Sequence, residues 1–198
     1  MQVHIGVSDY YKIIGLTAKS GALATNKNHM NILYESALCG NYDLVFLDIG
    51  SNDLANGVSP LILLANVAQF CEKLVAHGLK VVVLSVLPRS RRKYCFHDKS
   101  LFGAIKYYNF ILKNHCRVES QIAFLPQNGF FDQSLRHTTT DGIHPYISNN
   151  STYIKGLRRI FFKSLSQFNH FATHNAISPL NRLVEYATII KYVYSSIN

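Results

Sequence analysis

The chain predicts an α/β fold, a three-layer α/β/α sandwich built around a mainly parallel sheet. Two observations predict it. Short β-branched runs alternate with longer segments of helical periodicity. The runs are also apolar almost throughout, as expected of strands buried on both faces.

The elements follow in order. Asp43–Asp48, Leu79–Leu87 (LKVVVLSVL) and Gln121–Leu125 are the clearest strands, and Val3–Val7 and Lys12–Leu16 are weaker ones. Ser59 and Pro60 have the residue types that cap and open a helix. Leu61, Leu64, Ala65, Ala68, Cys71 and Val75 then recur at helical spacing, and Gly78 stands where a helix C-terminus is capped. A second helix is predicted over Ser100–Asn114, with Leu101, Ile105, Tyr108 and Leu112 on one stripe. Asn150–Phe168 is a third. A last helix, 179–195, is expected to turn Leu180, Leu183, Val184, Ala187 and Ile190 inward.

The 198 residues suit one domain, with 48% hydrophobic and 16% charged residues, a balance that excludes a disordered chain. The net charge of +9 favours anionic partners without naming one. The four cysteines (Cys39, Cys71, Cys95, Cys116) form no CxxC pair, so neither zinc-ligand spacing nor a disulfide framework is indicated. Cys71 lies on the apolar helix face and reads as a small core residue. The N-terminus lacks a basic region followed by an apolar run, and no stretch is long enough to span a membrane. The expected location is therefore cytoplasmic, where the sequons around Asn149 and Asn150 have no role.

In a parallel sheet ligands bind at the carboxyl ends of the strands, so residues just after each strand are the place to look. After the first clear strand comes Gly50-Ser51-Asn52-Asp53. Glycine permits a tight turn there, and the Asn52 amide can donate to an oxyanion without carrying a titratable charge. The same tetrapeptide also suits a plain turn. Downstream lies Asp141-Gly142-Ile143-His144. An Asp and a His three residues apart on a turn can pair, fixing the imidazole tautomer and leaving its other nitrogen as a general base. This sequence, too, is common in turns.

Together, YDLVFLDIGSNDL and DGIHP resemble the Asn block and the Asp-x-x-His block of the SGNH (GDSL-type) hydrolase family. VVVLSVLPRS and the YYNFIL helix look like that family's central strand and following helix. The resemblance covers roughly residues 13–168 and looks closest to SGNH-like domains of animal genomes, some of them associated with mobile elements. It implies a flavodoxin-like sheet and a serine esterase or acyl hydrolase acting on a small acyl ester. His144 would be the base, Asp141 its orienting partner, and Asn52 an oxyanion donor. The backbone N–H of Gly21, in Ser20-Gly21-Ala22, would be a second donor, with Gly15 the lesser candidate. No organic cofactor or metal is implied.

The departure is at the start of the chain. The family places Gly-Asp-Ser after its first strand, whereas the nearest match here is Gly6-Val7-Ser8-Asp9, in the reverse order. Ser8 is the nucleophile by family position, and Ser20 and Ser51 are the alternatives. The short run before Gly21 predicts that the family's first strand is missing or degenerate. That leaves an N-terminally incomplete hydrolase-like domain over 1–170 and a helical extension over 171–198. The extension is expected to cover the sheet edge that a missing strand would bare. Arg89, Arg91, Arg92 and Lys93 follow the central strand and are expected to rim the crevice, where they could draw an anionic ligand or nucleic acid. Three functions are thus open: an ester hydrolase, an inactive remnant or binding module of the same fold, and a basic nucleic-acid-associated domain using the 89–93 loop and Arg158-Arg159.

Overall fold

The computed structural model describes residues 21–39, 42, 44–91, 98–127, 142–143 and 187–191. Helix α1 (Lys27–Leu38) leads into strand β1 (Leu44–Asp48). A one-turn helix α2 (Ser51–Ala55) and the long helix α3 (Pro60–Ala76) follow, then strand β2 (Lys80–Leu84). Helix α4 (Lys99–Cys116), strand β3 (Ile122–Leu125) and strand β4 (Ala187–Lys191) complete the described elements.

β1, β2 and β3 form a parallel sheet, with Val45 opposite Val81 and Val82 opposite Ala123. β4 lies parallel beside β1, giving the order β3-β2-β1-β4. Val45, Leu47, Val81, Val83 and Ile122 alternate onto one face and join a core with residues of α1, α3 and α4. Leu44, Phe46, Val82, Leu84 and Leu125 point to the other face and are also buried. Burial on both faces is why these strands read as continuous apolar runs.

α4 carries the stripe its spacing predicts: Leu101, Ile105, Tyr108 and Leu112 are all buried, joined by Cys116. Asp98 sets its start by accepting a hydrogen bond from the Leu101 N–H at 2.9 Å. α3 is a correction. Its buried residues are Leu63, Val67, Phe70, Cys71 and Leu74, whereas Leu61 of the predicted stripe is 58% exposed. The helix is apolar around most of its circumference, so two stripes share the helical period, and only docking selects one. Its C-terminus closes as predicted. Gly78 takes φ +83°, and its N–H bonds Val75 O at 2.8 Å while the Leu79 N–H bonds Leu74 O at 3.2 Å. That pair of bonds satisfies two of the last carbonyls.

The C-terminal segment is a second correction. Ala187–Lys191, expected within a helix, is an extended strand paired with β1 from Leu44↔Ala187 to Asp48↔Lys191. Thr188, Ile189 and Ile190 are consecutive β-branched residues, which favour a strand, and β1 supplies the partner on the side away from β2. The segment meets the sheet by pairing with β1 rather than by lying over it as a helix. The candidate strands at 3–7 and 12–16, the helix over 150–168 and the expected first-strand region lie outside the described residues. So does the rest of the 171–198 extension.

Candidate active site

The site is assembled at the carboxyl ends of β1 and β2. At the end of β1, Gly50 adopts φ +105° and turns the chain sharply into α2. The positive φ favours glycine there, and a Cβ would also meet Leu63 Cδ2 at 2.9 Å and require that side chain to shift. The turn presents Asn52 and Asp53 one after the other, Asn52 half-buried and Asp53 fully buried.

Both residues fasten the preceding loop. Asn52 Nδ2 donates to Ala22 O at 3.0 Å. Asp53, fully buried, accepts from the Ala24 N–H at 2.9 Å and from both the Thr25 N–H at 3.0 Å and its hydroxyl at 2.8 Å. His29 Nδ1 accepts from the Leu23 N–H at 3.1 Å. Asn26 caps α1 by accepting from the N–H groups of Asn28 and His29. Each residue from Ala22 to Thr25 is therefore held by a side chain, and the loop delivers Gly21 (φ +67°) to the same end of the sheet.

The exit from β2 is held just as firmly. The Asn109 amide of α4 makes paired bonds with Val86, accepting from its N–H and donating to its carbonyl, both at 2.9 Å. Ser85 bonds Gln127 twice, at 2.8 Å through its hydroxyl and 2.7 Å through its carbonyl. The chain then runs to Arg89, whose Nη1 donates to Asn52 Oδ1 at 2.7 Å and reaches Ser51 Oγ at 3.3 Å. The next residue, Ser90, donates its N–H to Gly142 O at 2.8 Å. Gly142 is buried with φ +72°.

Three sequence blocks thus meet: the loop from Gly21, the Gly50–Asp53 turn, and Gly142-Ile143 at the centre of the Asp-x-x-His sequence. The loop after β2 joins them. Asp141 and His144 flank the described pair and lie outside the described residues, as do Ser8, Ser20, Gly15, Arg158 and Arg159. Ser51 lies in the site, with its hydroxyl against Arg89. A guanidinium has no acceptor and stays protonated, so Arg89 cannot serve as a base for it.

The basic rim expected from sequence is not what Arg89 and Arg91 form. Arg89 points inward to Asn52. Arg91 donates to Ala55 O at 2.8 Å and pairs with Asp98 at 2.7 Å. The Arg91 guanidinium, the Ser100 hydroxyl and the Leu101 N–H hold the Asp98 carboxyl well below the usual carboxylate range. Arg92 and Lys93 lie outside the described residues. Burial pushes the Cys71 thiol well above the ordinary range and that of Cys116 up to about 12, which suits unreactive core residues. Among the described residues there is no metal-binding cluster, and no helix is long and apolar enough to cross a membrane.

Sequence reasoning missed Asp53 and Asn109 and assigned Arg89 to the wrong task. A signal existed for the first two. Asp53 directly precedes Leu54 and Ala55, and Asn109 directly follows the Tyr108 of the predicted stripe, and a polar side chain beside buried positions requires hydrogen-bond partners.

No protein-family profile matches the chain, and no curated protein matches it by sequence. Solved structures do match. The chain is similar to a GDSL-like lipase from Bacteroides thetaiotaomicron, with TM-score 0.59 and 19% identity over 73% of each chain. It is similar to an acetyl-xylooligosaccharide esterase from Geobacillus, with TM-score 0.54 and 14% identity, over 73% of this chain and 68% of that one. It is also similar to the C-terminal domain of the Drosophila Oskar protein, with TM-score 0.52 and 16% identity, over 74% and 71% of the two chains. The chain has the α/β fold of SGNH-type hydrolases.

Proposed function

We propose that the chain is an SGNH-type ester or acyl hydrolase domain that uses Ser-His-Asp chemistry. The observation that carries the reading is the Ser90 N–H to Gly142 O bond of 2.8 Å. It brings the centre of the Asp-x-x-His sequence to the loop whose Arg89 holds Asn52. The likeness in fold to structures described as a lipase and an esterase supports the same reading.

In this mechanism His144 takes the proton of a serine hydroxyl as its oxygen attacks the ester carbonyl, and Asp141 holds the imidazole in the required tautomer. The carbonyl oxygen becomes an oxyanion, which the Asn52 amide and the Gly21 N–H stabilise. Collapse expels the alcohol, which takes the proton back from His144, and water then releases the acyl group by the same steps. Ser8 is the nucleophile assigned by family position, with Ser20 and Ser51 as alternatives. The domain division at about residue 170 belongs to this reading.

The test is hydrolysis of p-nitrophenyl acetate by the purified protein beside its His144→Ala and Ser8→Ala variants. Loss in both supports the assignment. Loss in His144→Ala alone moves the nucleophile to Ser20 or Ser51. A folded wild-type protein with no activity above that of His144→Ala would overturn the hydrolase reading in favour of a binding module of the same fold.

A further inference from the structure

We infer that Arg89 is a positioning residue that orients and polarises the Asn52 amide. The inference rests on the hydrolase reading only where it concerns rate. The two ends of an amide look alike in shape, and neighbours must decide which end faces where. Here two of the neighbours are unambiguous. A guanidinium only donates, so the atom 2.7 Å from Arg89 Nη1 is the oxygen. A carbonyl oxygen only accepts, so the atom 3.0 Å from Ala22 O is the nitrogen. A flipped amide would set donor against donor and acceptor against acceptor.

Orientation alone could come from any donor, but a guanidinium adds charge. A short, charge-assisted bond to the amide oxygen draws electron density from the nitrogen and strengthens its N–H as a donor. An oxyanion forming at that nitrogen would meet an aligned dipole with a positive charge behind it. Arg89 is itself fixed: its Nε donates to Ser90 O at 3.0 Å, and the Ser90 N–H bonds Gly142 O at 2.8 Å. The same two residues therefore set the amide and anchor Gly142. This explains why a cation at a strand end is directed inward. Lysine is a poor substitute, because a single ammonium cannot hold Asn52 and the Ser90 carbonyl in one plane.

The test compares ¹⁵N-labelled wild-type protein with Arg89→Met, Arg89→Lys and, as a control, Arg91→Met. The first readout is the side-chain NH₂ signal of Asn52, assigned by its loss in Asn52→Asp. In Arg89→Met the two proton resonances should move together toward the values of a solvated amide. Arg89→Lys should shift them part of the way, and Arg91→Met should leave them in place. The second readout is ester hydrolysis. Arg89→Met should lower kcat by roughly 10- to 100-fold, somewhat less than the loss of an oxyanion donor itself, with KM little changed. Added guanidinium ion should restore part of the rate. An unmoved Asn52 signal in either folded Arg89 variant overturns the inference, and so does a raised KM at unchanged kcat. If wild-type protein hydrolyses no ester, the hydrolase reading falls and the Asn52 signal alone decides the role of Arg89.

Discussion

Asp53→Asn isolates the contribution of one buried carboxylate with almost no change in shape. In the native chain one carboxylate oxygen accepts from the Ala24 N–H and the other from the N–H and hydroxyl of Thr25. An asparagine has one oxygen. Its better rotamer keeps that oxygen at Thr25 and sets an NH₂ group against the Ala24 N–H. One buried donor then goes unsatisfied, at about 1–3 kcal/mol, and the two remaining bonds each lose about 1 kcal/mol of charge assistance. Relief of the desolvation of a fully buried carboxylate offsets part of this. The net expectation is destabilisation by about 2–3 kcal/mol in urea denaturation, or a Tm lower by roughly 4–12 °C for a domain of this size. A loss below about 0.5 kcal/mol, the level of an ordinary surface change, would refute the claim that Asp53 holds the loop.

Two further outcomes follow from the same interactions. The folded Asp98 carboxyl is held below its unfolded value, so its stabilisation is complete above an unfolded pKa near 3.9 and is lost as pH falls toward the folded one. The stability gap between wild type and Asp98→Asn should therefore be constant from pH 7 to 5 and shrink below about pH 4, as read by denaturation at each pH. Removing residues 187–198 strips β4 from β1 and leaves a row of unpaired backbone groups, so the truncated chain should aggregate or dimerise in light scattering. A monomeric, folded product would show that the pairing is dispensable.

The parallel sheet was legible because burial on both faces writes itself as uninterrupted apolar runs. α4 was legible because Leu101, Ile105, Tyr108 and Leu112 recur every three or four residues and Lys106, Asn109 and Lys113 interrupt the other faces. α3 was misread for the opposite reason: with leucines or isoleucine at 61, 62, 63 and 64, period alone does not choose a face. α1 was not foreseen, although Asn26 ahead of Met30, Leu33 and Ala37 is an N-cap followed by a buried stripe. β4 went unrecognised because its apolar residues also fit helical spacing, and its partner is more than 130 residues away in sequence. The Gly50 turn was legible from its place after a strand. The inward turn of Arg89 was not, because it depends on loops brought together from three parts of the chain.

The most direct test is active-site labelling. The intact protein is treated with a fluorophosphonate, which reacts with activated serines, and the modified peptide is identified by mass spectrometry. A working hydrolase site predicts one adduct per chain, on Ser8 by the family position or otherwise on Ser20 or Ser51, and its loss in both His144→Ala and Asp141→Ala. No adduct on the folded wild-type chain, or labelling that survives without His144, would contradict it.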